Sequence, residues 1–151
     1  MDAPVEQRVE DIIEHAAARA AEQGLAYRGA VTPKEAWALA QAGAAHIVDV
    51  RTKEEWALVG RIPGAAEIEW KLYPDWRLNP DFAAEVKRRF APGERLLLVC
   101  RSGQRSHDAA AQLAAEGFAT FNVLEGFEGD KNAASQRTTN GWKVRGLPWY
   151  Q

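Results

Sequence analysis

The sequence predicts an α/β fold in which a largely parallel sheet is covered by helices on both faces, and three observations carry the prediction. Short apolar runs alternate with segments of helical periodicity. Gly and Pro punctuate the joins between them. At 151 residues with 46% hydrophobic positions, the chain can bury one compact core but not two independent ones.

The elements follow in order. Val5, Val9, Ile12, Ile13, Ala16 and Ala20 recur at helical spacing and Gly24 stops the pattern, so residues 1–24 read as an amphipathic helix ahead of a domain over 25–151. This helix folds back on the domain or forms a dimer contact. Folding back is favoured, because a single apolar stripe usually has its own domain's core beside it. Thr32-Pro33 reads as a cap and first-turn proline for a helix through Trp37 and Leu39, ended by Gly43. Ala45 to Val50 reads as a buried strand, Lys53 to Val59 as a short helix, and Gly60-Arg61-Ile62-Pro63-Gly64 as a turn. A short strand is expected around Ala66 to Ile68, and a helix from Asn79-Pro80 to about Phe90. Leu96 to Val99 is a continuous apolar run that suits a central parallel strand. Arg105 to Glu116 then reads as a helix stopped by Gly117, and Thr120 to Val123 as the last strand. From Gly126 onward an irregular tail is expected, tied down by Trp142, Trp149 and Tyr150.

A formal charge of −2 leaves no global basic field, so nucleic acid and anionic membrane surfaces find no support as partners. An anion site must be local. Cys100 is the only cysteine, which excludes an intrachain disulfide and favours a reducing cytoplasm. The first 23 residues carry Asp2, Glu6, Glu10, Asp11, Glu14 and Glu22, unlike a basic signal or transit peptide. No apolar run approaches the roughly 18 residues of a spanning helix.

Chemistry concentrates where the Leu96–Val99 strand ends in Cys100, a Gly-containing loop follows, and a helix begins. Such an arrangement puts a thiol at the carboxyl edge of the sheet, where open α/β sheets bind ligands. Gly103 permits backbone conformations that a Cβ resists, loop amides can turn toward the sulfur, and the helix adds its positive end. Arg101 and Arg105 add full charges, which favours Cys100 as a nucleophile. In an arbitrary protein a lone cysteine at a strand end is a small buried hydrophobe. Here two arginines, two serines and a glycine surround it, and an inert thiol needs none of them.

Four motifs in order resemble the rhodanese family, from about Tyr27 to Pro148. Asp49-Val50-Arg51 resembles its first strand end, and Glu55-Trp56 with Gly60-Arg61-Ile62-Pro63-Gly64-Ala65 its second motif. Cys100-Arg101-Ser102-Gly103-Gln104-Arg105-Ser106 matches its active loop. Leu124-Glu125-Gly126, Gly141-Trp142 and Gly146-Leu147-Pro148 resemble its C-terminal signature. One departure is Arg61, where the family usually has histidine. The resemblance implies a five-stranded rhodanese-like sheet and a thiosulfate sulfurtransferase. Sulfur would move from thiosulfate or a similar donor to cyanide, a thiol or a protein acceptor through a Cys100 persulfide. No cofactor or metal is implied.

The resemblance makes Cys100 the catalytic residue and Arg101, Ser102, Gly103, Gln104, Arg105 and Ser106 the substrate cradle, supported by Asp49, Arg51 and Glu55. Asp49 and Arg51 read as a structural pair near the loop. Arg105 faces the donor anion or bridges to Glu55. Arg101, with no structural partner implied, is the better anion ligand. Ser106 donates to the sulfur or caps the helix, the commoner use of serine there. His107 is expected to face solvent from the first helical turn, and His15 and His46 share no ligand spacing with Cys100. Trp70 and Trp76 are weak candidates for walls of the pocket. Two rivals stand beside the sulfurtransferase: a phosphatase or arsenate reductase of related fold, and a non-catalytic binding module. In the family the phosphatase relatives have a seven-residue loop. Here Arg105 is the sixth residue counted from Cys100, and the smaller bowl suits sulfur.

Overall fold

The structure is a computed structural model that describes residues 4–151, so the first three residues of the predicted 1–24 helical segment lie outside the described residues. Helix α1 spans Val5–Gln23 and ends where Gly24 turns left-handed at φ +64°. Strand β1 (Gly29–Val31) precedes helix α2 (Pro33–Gln41). At the start of α2 the Thr32 hydroxyl accepts the Glu35 N–H (3.2 Å) and the Glu35 carboxylate accepts the Thr32 N–H (2.9 Å), the reciprocal cap that Thr-Pro promised. Strand β2 (His46–Asp49) leads to helix α3 (Lys53–Leu58), where Thr52 and Glu55 repeat the same cap.

Strand β3 (Ala66–Glu67) is followed by an antiparallel ribbon of β4 (Lys71–Leu72) and β5 (Arg77–Leu78). Helix α4 (Phe82–Arg89), strand β6 (Arg95–Val99), helix α5 (Gln104–Ala115) and strand β7 (Ala119–Val123) complete the order. The main sheet is five-stranded and parallel throughout, in the order β1-β7-β6-β2-β3.

Side chains alternate across each strand and so build two cores. Leu96, Leu98, Val48 and Val50 face Phe82 and Val86 of α4 and Ala109, Ala110 and Leu113 of α5. Leu97, Val99, Ile47, Phe121 and Val123 face Ala16 of α1 and Ala36 and Leu39 of α2. Helix α1 is thus seated on the sheet through its small residues, with Gly29 of β1 leaving no room for a Cβ between Ala16 and Phe121. Two parts of the fold differ from the sequence expectation. Strand β1 and the β4–β5 ribbon were not anticipated, because elements of three and two residues are too short to show periodicity. Helix α4 begins at Phe82 rather than Asn79, since the Asn79 side chain accepts the Asp81 N–H (3.0 Å) in a turn of its own. No described helix is long and apolar enough to cross a membrane.

Candidate active site

Strand β6 lies in the middle of the sheet, and Cys100 follows it at the carboxyl edge with 1% of its surface exposed. Three residues separate it from α5. Gly103 sits at φ +108°, a conformation that costs glycine little, and its N–H donates to Cys100 Sγ at 3.1 Å. The loop carbonyls are engaged elsewhere. Cys100 O accepts from Phe127 N–H (2.8 Å), and Arg101 O accepts from Glu128 and Gly129 N–H (3.0 and 3.1 Å). The segment from Gly126 therefore lies directly on the loop. A Cβ at Gly126, where φ is +70°, would stand 2.5 Å from the Arg101 carbonyl carbon.

Ser106 is fully buried in the first turn of α5. Its Oγ is 3.3 Å from Cys100 Sγ and donates to Asn122 Oδ1 at 2.6 Å. It does not cap the helix, whose N-cap position is Gly103. Asn122 sits on β7 and its Nδ2 donates to Gly103 O at 3.2 Å. Sequence reasoning missed this residue. The available signal was an amide in a strand that is buried along its whole length.

The alternative of an Arg105–Glu55 pair is the one the structure contains: two hydrogen bonds of 2.7 and 2.9 Å join a guanidinium and a carboxylate that are each nearly buried. Burial works to raise the Glu55 carboxyl, but the Arg105 hydrogen bond and charge outweigh it and hold Glu55 below its ordinary range. Burial likewise works to lower Arg105, and Glu55 outweighs it, with the nearby Cys100 adding in the same direction. Because Glu55 also caps α3, one carboxylate ties that helix to the loop. Trp76 lies over the same guanidinium, 4.8 Å from Cζ to the ring. Trp70 instead packs edge-on against Phe82 in the core.

Asp49 and Arg51 form the expected structural pair, fully buried, with Arg51 Nη2 2.7 Å from Asp49 Oδ2 and also donating to Gly60 O. Phe127 closes over the Arg51 guanidinium at 4.1 Å. Two expectations are corrected. Arg101 does have a partner: its Nε lies 3.0 Å from Glu128, brought alongside by the backbone contacts of the same segment. His107 does not simply face solvent, for its Nδ1 shares a 2.7 Å hydrogen bond with the buried Tyr27 hydroxyl. Burial raises Tyr27 above the usual phenol range, so the hydroxyl keeps its proton. A cavity opens on this flank of the loop, lined by Tyr27, Ser102, Gly103, Gln104, His107 and Asn122.

The arrangement holds a buried sulfur between an amide and a hydroxyl beside a fixed arginine–glutamate ion pair. The sequence profile of the rhodanese-like domain matches residues 32–133. The chain is 36% identical over 108 residues to an uncharacterized protein of Rickettsia rickettsii, covering 70% of this chain and 82% of that one. It is 32% identical to the thiosulfate sulfurtransferase GlpE of Pseudomonas entomophila over 65% of this chain and 80% of that one. Among solved structures, Rv0390 from M. tuberculosis superposes with a TM-score of 0.73 at 37% identity, over 83% of this chain and 98% of that one. A rhodanese-like domain protein from Staphylococcus aureus gives 0.52 at 31% identity, over 64% and 85%. Sequence, site and superposition agree: the chain belongs to the rhodanese-like domain family.

Proposed function

We propose that the protein is a sulfurtransferase that carries a sulfane sulfur on Cys100 as a persulfide. The observation that carries this reading is the loop itself, which points the Gly103 N–H at Sγ and sends its own carbonyls to the segment behind it. A backbone donor is thereby aimed where an anionic sulfur would sit. Its relatedness to the GlpE thiosulfate sulfurtransferases supports the same class of chemistry.

In the first step the Cys100 thiolate attacks the outer sulfur of thiosulfate. The new S–S bond forms as the donor's own S–S bond breaks, and sulfite leaves with the electron pair. In the second step cyanide or an acceptor thiolate takes the terminal sulfur and Cys100 returns as a thiolate, a ping-pong sequence. A small thiol and a thiol on a protein present the same nucleophile to this persulfide. A reducing compartment suits an unpaired reactive cysteine.

Mass spectrometry after incubation with thiosulfate tests the reading. Wild type should gain one sulfur atom, lost again on adding cyanide, and Cys100→Ser should gain none. Absence of the adduct with several sulfur donors would turn the reading to a binding module, and rapid hydrolysis of an aryl phosphate would turn it to a phosphatase.

A further inference from the structure

The hydrogen atoms around Cys100 can be placed by elimination. Gly103 O can only accept, so the Asn122 atom facing it at 3.2 Å must be Nδ2, which leaves Oδ1 facing Ser106 at 2.6 Å. Oδ1 can only accept, so the single Ser106 hydroxyl hydrogen is spent on Asn122. Toward Sγ, 3.3 Å away, Ser106 therefore presents only lone pairs. That side of the site suits a thiol, which donates S–H. An anionic sulfur needs the hydroxyl to turn.

We propose that Asn122 is a positioning residue that steers the Ser106 hydroxyl away from Cys100 in the resting site and releases it to the sulfur when the thiolate or persulfide forms. The inference rests on the reading of Cys100 as the nucleophile. Rotation about one Ser106 bond makes the exchange, and no other side chain has to move. Asn122 borders the cavity beside the loop. The same amide anchors Gly103, whose N–H is the other donor to Sγ, so both groups that touch the sulfur answer to one side chain.

The charged groups around this centre are Arg105 on α5 with Glu55 from α3, Arg101 with Glu128, and the Asp49–Arg51 pair after β2. His107, Tyr27, Glu125 and Asp130 lie on the cavity side. Asn122 also hydrogen-bonds Tyr27, so among these groups its substitution touches Tyr27, while the three ion pairs keep their partners. Because Cys100 is the only cysteine, iodoacetamide labelling of the full chain reports on it alone. The midpoint of the alkylation rate against pH, unlike its plateau, is insensitive to how easily the reagent enters.

Asn122→Leu frees the hydroxyl for the sulfur and should move the midpoint to lower pH by about one unit, roughly tenfold in rate on the rising limb, the scale of one hydrogen bond to an anion. Asn122→Asp should move it up, through its added negative charge as well as its firmer hold on the hydroxyl. On a Ser106→Ala background, Asn122→Leu should give no downward shift, since only its brace on Gly103 is then lost. If the role were only to brace the loop, Asn122→Leu would withdraw the Gly103 amide from the sulfur and raise the midpoint. An upward or absent shift overturns the proposal, as does a shift of equal size without the Ser106 hydroxyl. Circular dichroism checks folding, and if Asn122→Leu is unfolded, Asn122→Ala is read by the same criteria. The measurement needs no sulfur transfer. A chain that labels as expected but never forms a persulfide would fail the functional reading alone, and the reverse result would fail this inference alone.

Discussion

The active loop is held on two sides by different means. On one side the segment Gly126–Gly129 meets it backbone to backbone, through three hydrogen bonds to the carbonyls of Cys100 and Arg101. On the other the β4–β5 ribbon meets it through a side chain, Trp76 over Arg105. The first side is locked further: Trp142 N–H donates to Gly126 O, and Trp142 is wholly buried against Trp37. The ribbon has two residues in each strand and leaves Tyr73 and Leu78 at least half exposed. Backbone contacts fix the shape of the loop whatever side chains it carries. Side-chain contacts can be exchanged without disturbing that shape, so the ribbon side is where substrate preference can vary.

The contrast breaks first at Gly126. Alanine there must adopt φ near +70° and push its Cβ into the Arg101 carbonyl, 2.5 Å away, against a backbone that cannot rotate aside. Left-handed strain and overpacking together should cost about 2–4 kcal/mol. Urea unfolding should show this loss, and sulfur uptake should fall by at least about tenfold. A Gly126→Ala protein with wild-type stability and uptake would mean that this segment does not shape the loop.

Next comes the Glu55–Arg105 pair, which joins the loop to α3. Glu55→Gln should lower stability by roughly 1–3 kcal/mol, because Arg105 is left nearly buried without its counter-charge. A double-mutant cycle with Arg105 should show coupling on the order of 0.5–3 kcal/mol. Its pH dependence has a definite sign. Glu55 titrates lower in the folded chain than in the unfolded one, so its contribution is present above the ordinary carboxylate range and is lost as pH falls through the folded value. The acid limb of a stability profile should therefore flatten in Glu55→Gln, and an unchanged limb would discount the pair.

The smallest effect on stability is expected at Trp76. Trp76→Ala removes a cation–π contact worth about 0.5–1 kcal/mol, so stability should hardly change. The KM for donor or acceptor should change while the loop stays intact. A large loss of stability with unchanged KM would erase the distinction between the two sides.

What was legible in the sequence was local. Thr32-Pro33 and the residues from Cys100 to Ser106 encode cap, loop and helix within a few positions, and the apolar runs of β2, β6 and β7 identify a buried parallel sheet. What was hidden is contact between residues far apart in the chain. Glu128 as the partner of Arg101, Tyr27 beside His107 and Asn122 beside Ser106 arise only once β1, β6 and β7 stand side by side. Glu55 shows both situations in one residue. Its capping role is three positions from Thr52, whereas its bond to Arg105 spans fifty and could be raised only as one of two alternatives.

The backbone partners of the loop, Phe127 to Gly129, follow it in the chain, as does Trp142, which secures them. During synthesis the Cys100 thiol therefore emerges and its strand can begin to pair before the groups that draw its carbonyls away exist. Until they arrive, the Arg101 and Cys100 carbonyls lack the backbone partners that orient them. The nascent protein would pass through an interval with a nearly complete sheet and an unshaped sulfur site, so acquisition of fold and acquisition of reactivity are separate events in time.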